Sequence, residues 1–236
     1  MWKSSLKLCK YREEDREKMQ SLIISGGSLD MEFALSYIEK YSFGILIAAD
    51  RGMDFFYQQK ITPDYVVGDF DSADPKILQY FRSLDEDRRP VILQFQPEKD
   101  ETDTELAMRI AMERGCDVIH LLGATGNRLD HMLGNLHLLG NAMENGVECR
   151  MVDANNRIRM VCQGIKIRRE QQFGKYVSLF PFTPQVRGLT LTGFQYPLEE
   201  YTLECYHSLG VSNEIVAKEA EISFREGVLV VVEAKD

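Results

Sequence analysis

A chain of 236 residues, 44% hydrophobic and 28% charged, has the make-up of a globular soluble protein with one large domain or two modest ones. A formal net charge of -9 repels a phosphate backbone, which argues against nucleic acid as a partner, and no apolar run reaches the length of a membrane span. Met1 to Gln20 lack the apolar core of a secretory signal. The five cysteines, Cys9, Cys116, Cys149, Cys162 and Cys205, are too widely spaced for a zinc pair and odd in number, so a cytoplasmic setting is expected.

The first part of the chain alternates strand and helix patterns. Leu22 to Ile24 is a short apolar run ending in Ser25-Gly26-Gly27-Ser28, and a helix is expected from Met31 to Tyr41. Phe43 to Ala49 and Tyr65 to Val67 read as buried strands, the second ending at Gly68. Pro75 to Ser83 reads as a helix, with Asp74 as N-cap and Pro75 at the first helical position. Val91 to Phe95 is a strand, Asp103 to Arg114 an amphipathic helix, and Val118 to Leu122 a fifth strand. A long helix from Leu129 stops before Gly146, and Glu148 to Val152 is a sixth strand. Continuous apolar strands separated by helices indicate α/β architecture, a doubly wound and mostly parallel sheet. After Asp153-Ala154-Asn155-Asn156 the texture changes. Arg157 to Cys162, Tyr176 to Phe180, Gly188 to Thr192, Tyr201 to Cys205 and Val228 to Val232 read as strands between Gly, Pro and Asn turns. The expected division is an N-terminal extension over 1–20, an α/β domain over 21–154 and an antiparallel β domain over 155–236.

In a parallel sheet, ligands bind beyond the carboxyl ends of the strands. The suggestive polar residues fall there. In the loop Gly68-Asp69-Phe70-Asp71-Ser72, Asp69 and Asp71 project to one side if the segment is extended. Two converging carboxylates suit a hard cation such as magnesium, which bridges to substrate phosphates. The bland reading is an acidic turn capping a helix. In Pro97-Glu98-Lys99-Asp100-Glu101-Thr102-Asp103, Asp100 or Asp103 can complete the coordination and Lys99 can meet a phosphate, against a plain solvated helix start. Gly123-Ala124-Thr125-Gly126-Asn127-Arg128-Leu129-Asp130 is a Gly-rich turn between strand and helix, which offers backbone N–H groups to phosphate. It is not a Walker loop. Arg128 suits a phosphate clamp, and Asp130 suits metal, ribose or the orienting of Arg128. Asp50, after a buried strand, is a helix cap or a nucleotide contact. His131 is given no role.

Together these segments resemble the thiamine pyrophosphokinase family. The resemblance rests on Asp50-Arg51-Gly52, Pro63-Asp64 through Ser72, Asp100 to Asp103 and Gly123 to His131, with Ser178 to Pro181, Leu191 to Leu198 and Gly210 to Glu214 in the second part. It implies an α/β nucleotide-binding domain followed by a β-sandwich that binds thiamine. It further implies a homodimer with active sites shared between chains. The implied reaction moves the pyrophosphoryl unit of ATP to the hydroxyl of thiamine and releases AMP. The resemblance makes Asp69, Asp71 and Asp103 the metal-holding and catalytic carboxylates, with Mg2+ as the ion. Asp50, Lys99, Asp100, Thr102, Thr125, Arg128 and Asp130 fall where nucleotide and phosphate contacts are expected. Ser212 and Asn213 fall where thiamine is contacted, and Tyr196 can stack on that cation. Two other readings compete: a magnesium-dependent phosphatase with Asp69 as nucleophile, and a thiamine- or nucleotide-binding regulator without turnover.

Overall fold

The computed structural model describes residues 18–96, 100–126 and 128–236. Lys99 and most of the expected N-terminal extension lie outside the described residues. Those residues fall into two compact units, the first running to Ala154 and the second spanning Asn155–Asp236.

Six strands form the parallel sheet of the first unit: β1 (Gln20–Ile24), β2 (Ile45–Ala49), β3 (Tyr65–Gly68), β4 (Val91–Gln94), β5 (Val118–Leu122) and β6 (Glu148–Val152). They lie in the order β6-β5-β1-β2-β3-β4, and every pairing among them is parallel. Strands buried on both faces carry continuous apolar sequence, and Leu22, Ile23 and Ile24 of β1 are at most 1% exposed. Five helices connect the strands: α1 (Met31–Ile38), α2 (Met53–Gln58), α3 (Pro75–Ser83), α4 (Asp103–Glu113) and α5 (Leu129–Glu144). Asp74 caps α3 by accepting from the Lys76 N–H at 2.9 Å, with Pro75 at the first position. Helix α1 ends at Ile38 rather than Tyr41, and β2 begins at Ile45 rather than Phe43. Helix α2 has no counterpart in the sequence reading. Its six residues are too few to show a helical period, and Met53, Phe55 and Phe56 bury almost completely.

The order of the strands fixes where a ligand can enter. From β1 the chain steps outward through β2 and β3 to β4. Helix α4 packs back over β1, β2 and β3, and β5 then pairs on the other side of β1. Such a reversal opens a crevice between adjacent carboxyl ends, here those of β1 and β5.

The second unit is a two-layer antiparallel sandwich. One layer holds β12 (Asn213–Glu214), β9 (Tyr176–Pro181), β14 (Leu229–Ala234) and β7 (Asn156–Val161), in that order. The other holds β11 (Leu198–Glu204), β10 (Gln185–Thr192), β13 (Glu219–Ser223) and β8 (Ile165–Arg168). Val177, Leu179 and Val231 of the first layer share a core with Leu191, Leu203 and Ile222 of the second. Strands β8 and β13 escape the sequence reading because each is short and half charged. Paired, they become regular: Glu219 faces Arg168 and Glu221 faces Lys166, while Ala220 faces Ile167 and Ile222 faces Ile165. Opposite charges line the outer face and apolar residues the inner one, a pattern that stabilises neighbouring strands.

Candidate active site

A cavity of about 570 Å³ lies in the first unit, beyond the carboxyl ends of the strands. Its floor is made by two loops pressed together, Ser25–Ser28 after β1 and Gly123–Gly126 after β5. The Ser25 N–H donates to the Leu122 carbonyl at 2.8 Å and the Gly27 N–H to the Gly123 carbonyl at 2.9 Å. Gly123 has φ +68°, and a Cβ there would stand 2.5 Å from the Ser25 carbonyl oxygen. Only glycine allows both that conformation and that approach. Two side chains from elsewhere tie the floor down. Asn135 of α5 donates from Nδ2 to the Ala124 carbonyl at 2.9 Å. Ser25 and Thr104 share a hydroxyl–hydroxyl bond of 2.6 Å and are both buried.

Three carboxylates meet in the cavity, two from strand ends and one from a helix start. Asp50 follows β2, Asp69 follows β3, and Asp103 opens α4. One oxygen from each lies within 4.8 Å of the others, and all three residues are half-buried. Asp50 sits at φ +48°, a left-handed conformation that costs a residue with a Cβ about 1–3 kcal/mol and tends to occur at functional sites. Its turn is wedged against β1, because a Cβ on Gly52 would stand 1.8 Å from the Ile24 carbonyl oxygen. Gly52→Ala is therefore expected to destabilise the protein by about 3 kcal/mol, read as a lower urea midpoint in equilibrium unfolding. One oxygen of Asp50, Oδ2, accepts from the Ser72 hydroxyl at 2.7 Å. The other, Oδ1, is buried without a hydrogen-bond partner. An orphaned buried carboxylate oxygen costs free energy unless something pairs with it, and three carboxylates this close have the oxygen-donor chemistry that suits a hard cation.

The structure sorts the residues singled out in the sequence. Asp69 and Asp103 come together with Asp50, which the sequence reading assigned to the nucleotide rather than to the metal. Asp71 does not join them: the Asp69-Phe70-Asp71 segment is not extended, since Phe70 has φ +64°. Asp71 is exposed, and its backbone N–H donates to Asp69 Oδ1 at 3.1 Å. Thr102 lines the cavity and caps α4, accepting from the Glu105 N–H at 3.2 Å. Asp100 is exposed, and neither it nor Thr125 lines the cavity. Arg128 lines it and holds Asp130 through two bonds, of 3.2 and 2.6 Å. The hydrogen bond from that guanidinium brings the exposed Asp130 carboxyl down to about 2. Behind Asp50, burial pushes the Asp54 carboxyl up against the pull of Arg51. Thr104, Asn135 and His131 also line the cavity. Sequence reasoning gave them no role, because only their position on α4 and α5 relative to the strand ends marks them.

Ser212 and Asn213 lie in the second unit. Asn213 is buried, and its side chain is committed to the backbone of Tyr196, accepting from its N–H at 3.0 Å and donating to its carbonyl at 2.8 Å. Tyr196 itself is 64% exposed. It borders a cavity of about 190 Å³ lined also by Leu198, Val211 and Asn213. Ser212, at φ +57°, donates its N–H to Ser178 Oγ at 2.9 Å and does not line that cavity.

Residues 34–151 match the model of the thiamin pyrophosphokinase catalytic domain, and residues 163–229 that of the thiamin pyrophosphokinase vitamin B1 binding domain. The chain belongs to the thiamine pyrophosphokinase family. It is 33% identical over 215 residues to a thiamine pyrophosphokinase of Bacillus subtilis, spanning 91% of this chain and 98% of that one. A crystal structure of thiamine pyrophosphokinase from Bacillus subtilis superposes with a TM-score of 0.81 at 28% identity, covering 92% of this chain and 99% of that one. One of thiamin pyrophosphokinase from Geobacillus thermodenitrificans gives 0.78 at 29% identity, covering 92% and 98%. Thiamine pyrophosphokinases thus share both units of this chain, and the catalytic-domain match lies within the carboxylate-bearing unit.

Proposed function

We propose that this chain transfers the pyrophosphoryl group of ATP to the hydroxyl of thiamine, giving thiamine pyrophosphate and AMP. The observation that carries this reading is the convergence of Asp50, Asp69 and Asp103 above a glycine-built floor, in a chain of this family. The floor is suited to phosphate, since loops that lead into helices present backbone N–H groups to it. Thr102 and Arg128 stand at its rim as further phosphate contacts, with Asp130 orienting the arginine. Phosphoryl transfer calls for positioning and charge neutralisation more than for covalent help. The three aspartates would hold Mg2+, which when bound offsets charge on the phosphate oxygens. Asp71, exposed beside Asp69 and outside the group of three, is the carboxylate left to take the thiamine hydroxyl proton. Tyr196, Ser212 and Asn213 are assigned to thiamine. Asn213 acts through Tyr196, whose backbone it fixes and whose exposed ring offers an aromatic face to a cation.

A homodimer with active sites shared between chains accompanies this reading; the family resemblance supports it, and light scattering tests it by the mass in solution. Cytoplasmic placement fits as well. No helix among the described residues is long and apolar enough to cross a membrane, and burial pushes the Cys116 and Cys149 thiols up, which suits residues that stay reduced and unreactive.

Incubation with ATP, thiamine and MgCl2 is expected to yield AMP and thiamine pyrophosphate in equal amounts, and excess EDTA to stop both. Orthophosphate release without AMP would instead favour the phosphatase reading. Nucleotide binding with no product from folded, Mg2+-loaded protein would leave a regulator.

A further inference from the structure

We propose that Ser72 is a positioning residue for the cation site: its hydroxyl fixes the rotation of the Asp50 carboxylate and so sets the site's affinity for a divalent ion. The inference rests on the assignment of Asp50, Asp69 and Asp103 to such an ion. Ser72 donates to Asp50 Oδ2 at 2.7 Å across 22 residues of chain. Asp50 Oδ1, on the same carboxylate, is buried and without a partner. A carboxylate held by one oxygen cannot rotate about its last bond without breaking that bond. Ser72 therefore fixes the directions in which both Asp50 oxygens point. The backbone is set in the same sense, because Asp50 is locked at φ +48° between β2 and the turn that Gly52 presses onto β1. Ser72 thus completes a restraint whose other half is the strained main chain. It also joins the loop after β3, which bears Asp69, to the carboxylate after β2. Two of the three ligand-bearing loops are thereby fixed to one another before any ion arrives.

The Ser72 side chain is exposed at the cavity and makes no contribution to the core, so Ser72→Ala leaves the fold intact, a point checked by circular dichroism. Mn2+, followed by electron paramagnetic resonance of the free ion, serves as the probe. Ser72→Ala is expected to bind Mn2+ about 10- to 100-fold more weakly, the usual cost of removing a group that orients a metal ligand. Ser72→Thr, which keeps the hydroxyl, is expected to bind as the unsubstituted protein does. In an Asp50→Ala background, Ser72→Ala is expected to cost nothing more, because its effect passes through Asp50. Equal Mn2+ affinity for the unsubstituted protein and Ser72→Ala overturns the role of Ser72 while leaving the carboxylate site standing. The same holds for a Ser72→Ala loss that persists undiminished without Asp50. If the unsubstituted protein takes up no Mn2+, with or without ATP, the cation site itself is refuted and the role of Ser72 goes with it.

Discussion

Replacing Asp103 with asparagine is expected to lower thiamine pyrophosphate formation about 10³-fold, the scale on which removal of a single group that stabilises developing charge is felt. The change is nearly isosteric and removes one negative charge from the group formed with Asp50 and Asp69. It leaves the helix start alone, since α4 is capped by Thr102 rather than by Asp103. The helix N-terminus favours an ionised carboxylate at this position, and a cation held there would share it. The loss is therefore expected in turnover and in Mn2+ uptake together, with an unchanged far-ultraviolet spectrum and urea midpoint. Parallel measurement of AMP production and Mn2+ affinity checks this. An enzyme that keeps more than a tenth of its rate would remove Asp103 from the site, and a shifted urea midpoint would make its part structural.

The course of the first unit was legible because its strands are buried on both faces and so carry runs such as Leu22-Ile23-Ile24 that need no partner to be recognised. The β8–β13 pair was not, since the alternation in Glu219 to Ser223 acquires meaning only beside Lys166 and Arg168. The site divides in the same way. Asp69 and Asp103 stand out through position at a strand end and a helix start. That Asp50 rather than Asp71 lies beside Asp69 and Asp103 did not follow from spacing. An extended Asp69-Phe70-Asp71 would put both carboxylates on one side, but Phe70 turns into the left-handed region and buries its ring, leaving Asp71 outside. Asp50 lies 19 residues before Asp69 in the chain, and only the pairing of β2 with β3 brings the two together. Asn213 shows the limit on the substrate side. It was assigned to thiamine by resemblance alone, whereas its hold on the Tyr196 backbone is a contact across 17 residues that no local pattern encodes.

Glu233→Gln is expected to cost about 3–5 kcal/mol of folding stability, the range for breaking a buried ion pair on one side. Glu233 is fully buried in β14, directly opposite Arg157 on β7. Arg157 reaches its two oxygens at 2.9 and 2.7 Å, Arg159 reaches Oε1 at 2.9 Å, and the Phe173 N–H donates to Oε2 at 3.0 Å. The arginine side chains are themselves only 13% and 14% exposed. Glutamine preserves the volume but leaves two guanidinium groups packed against a neutral amide, so the cost is that of uncompensated charge rather than of a cavity. The acid limb of the stability curve carries the same signature. Burial alone would raise the Glu233 carboxyl, but the hydrogen bond from Arg157, the charges of Arg159 and Arg157, and the Phe173 N–H hold it below the ordinary value of 4.5. A carboxyl depressed by folding stabilises fully above its unfolded value and loses that contribution as the pH falls through its folded one. Urea midpoints measured from pH 7 downward should therefore fall for the unsubstituted protein below about pH 4.5. The substituted amide has no proton to gain, so this part of the decline should vanish in the variant. Parallel curves for the two proteins across that range would mean the arginines do not depend on Glu233 for their charge balance.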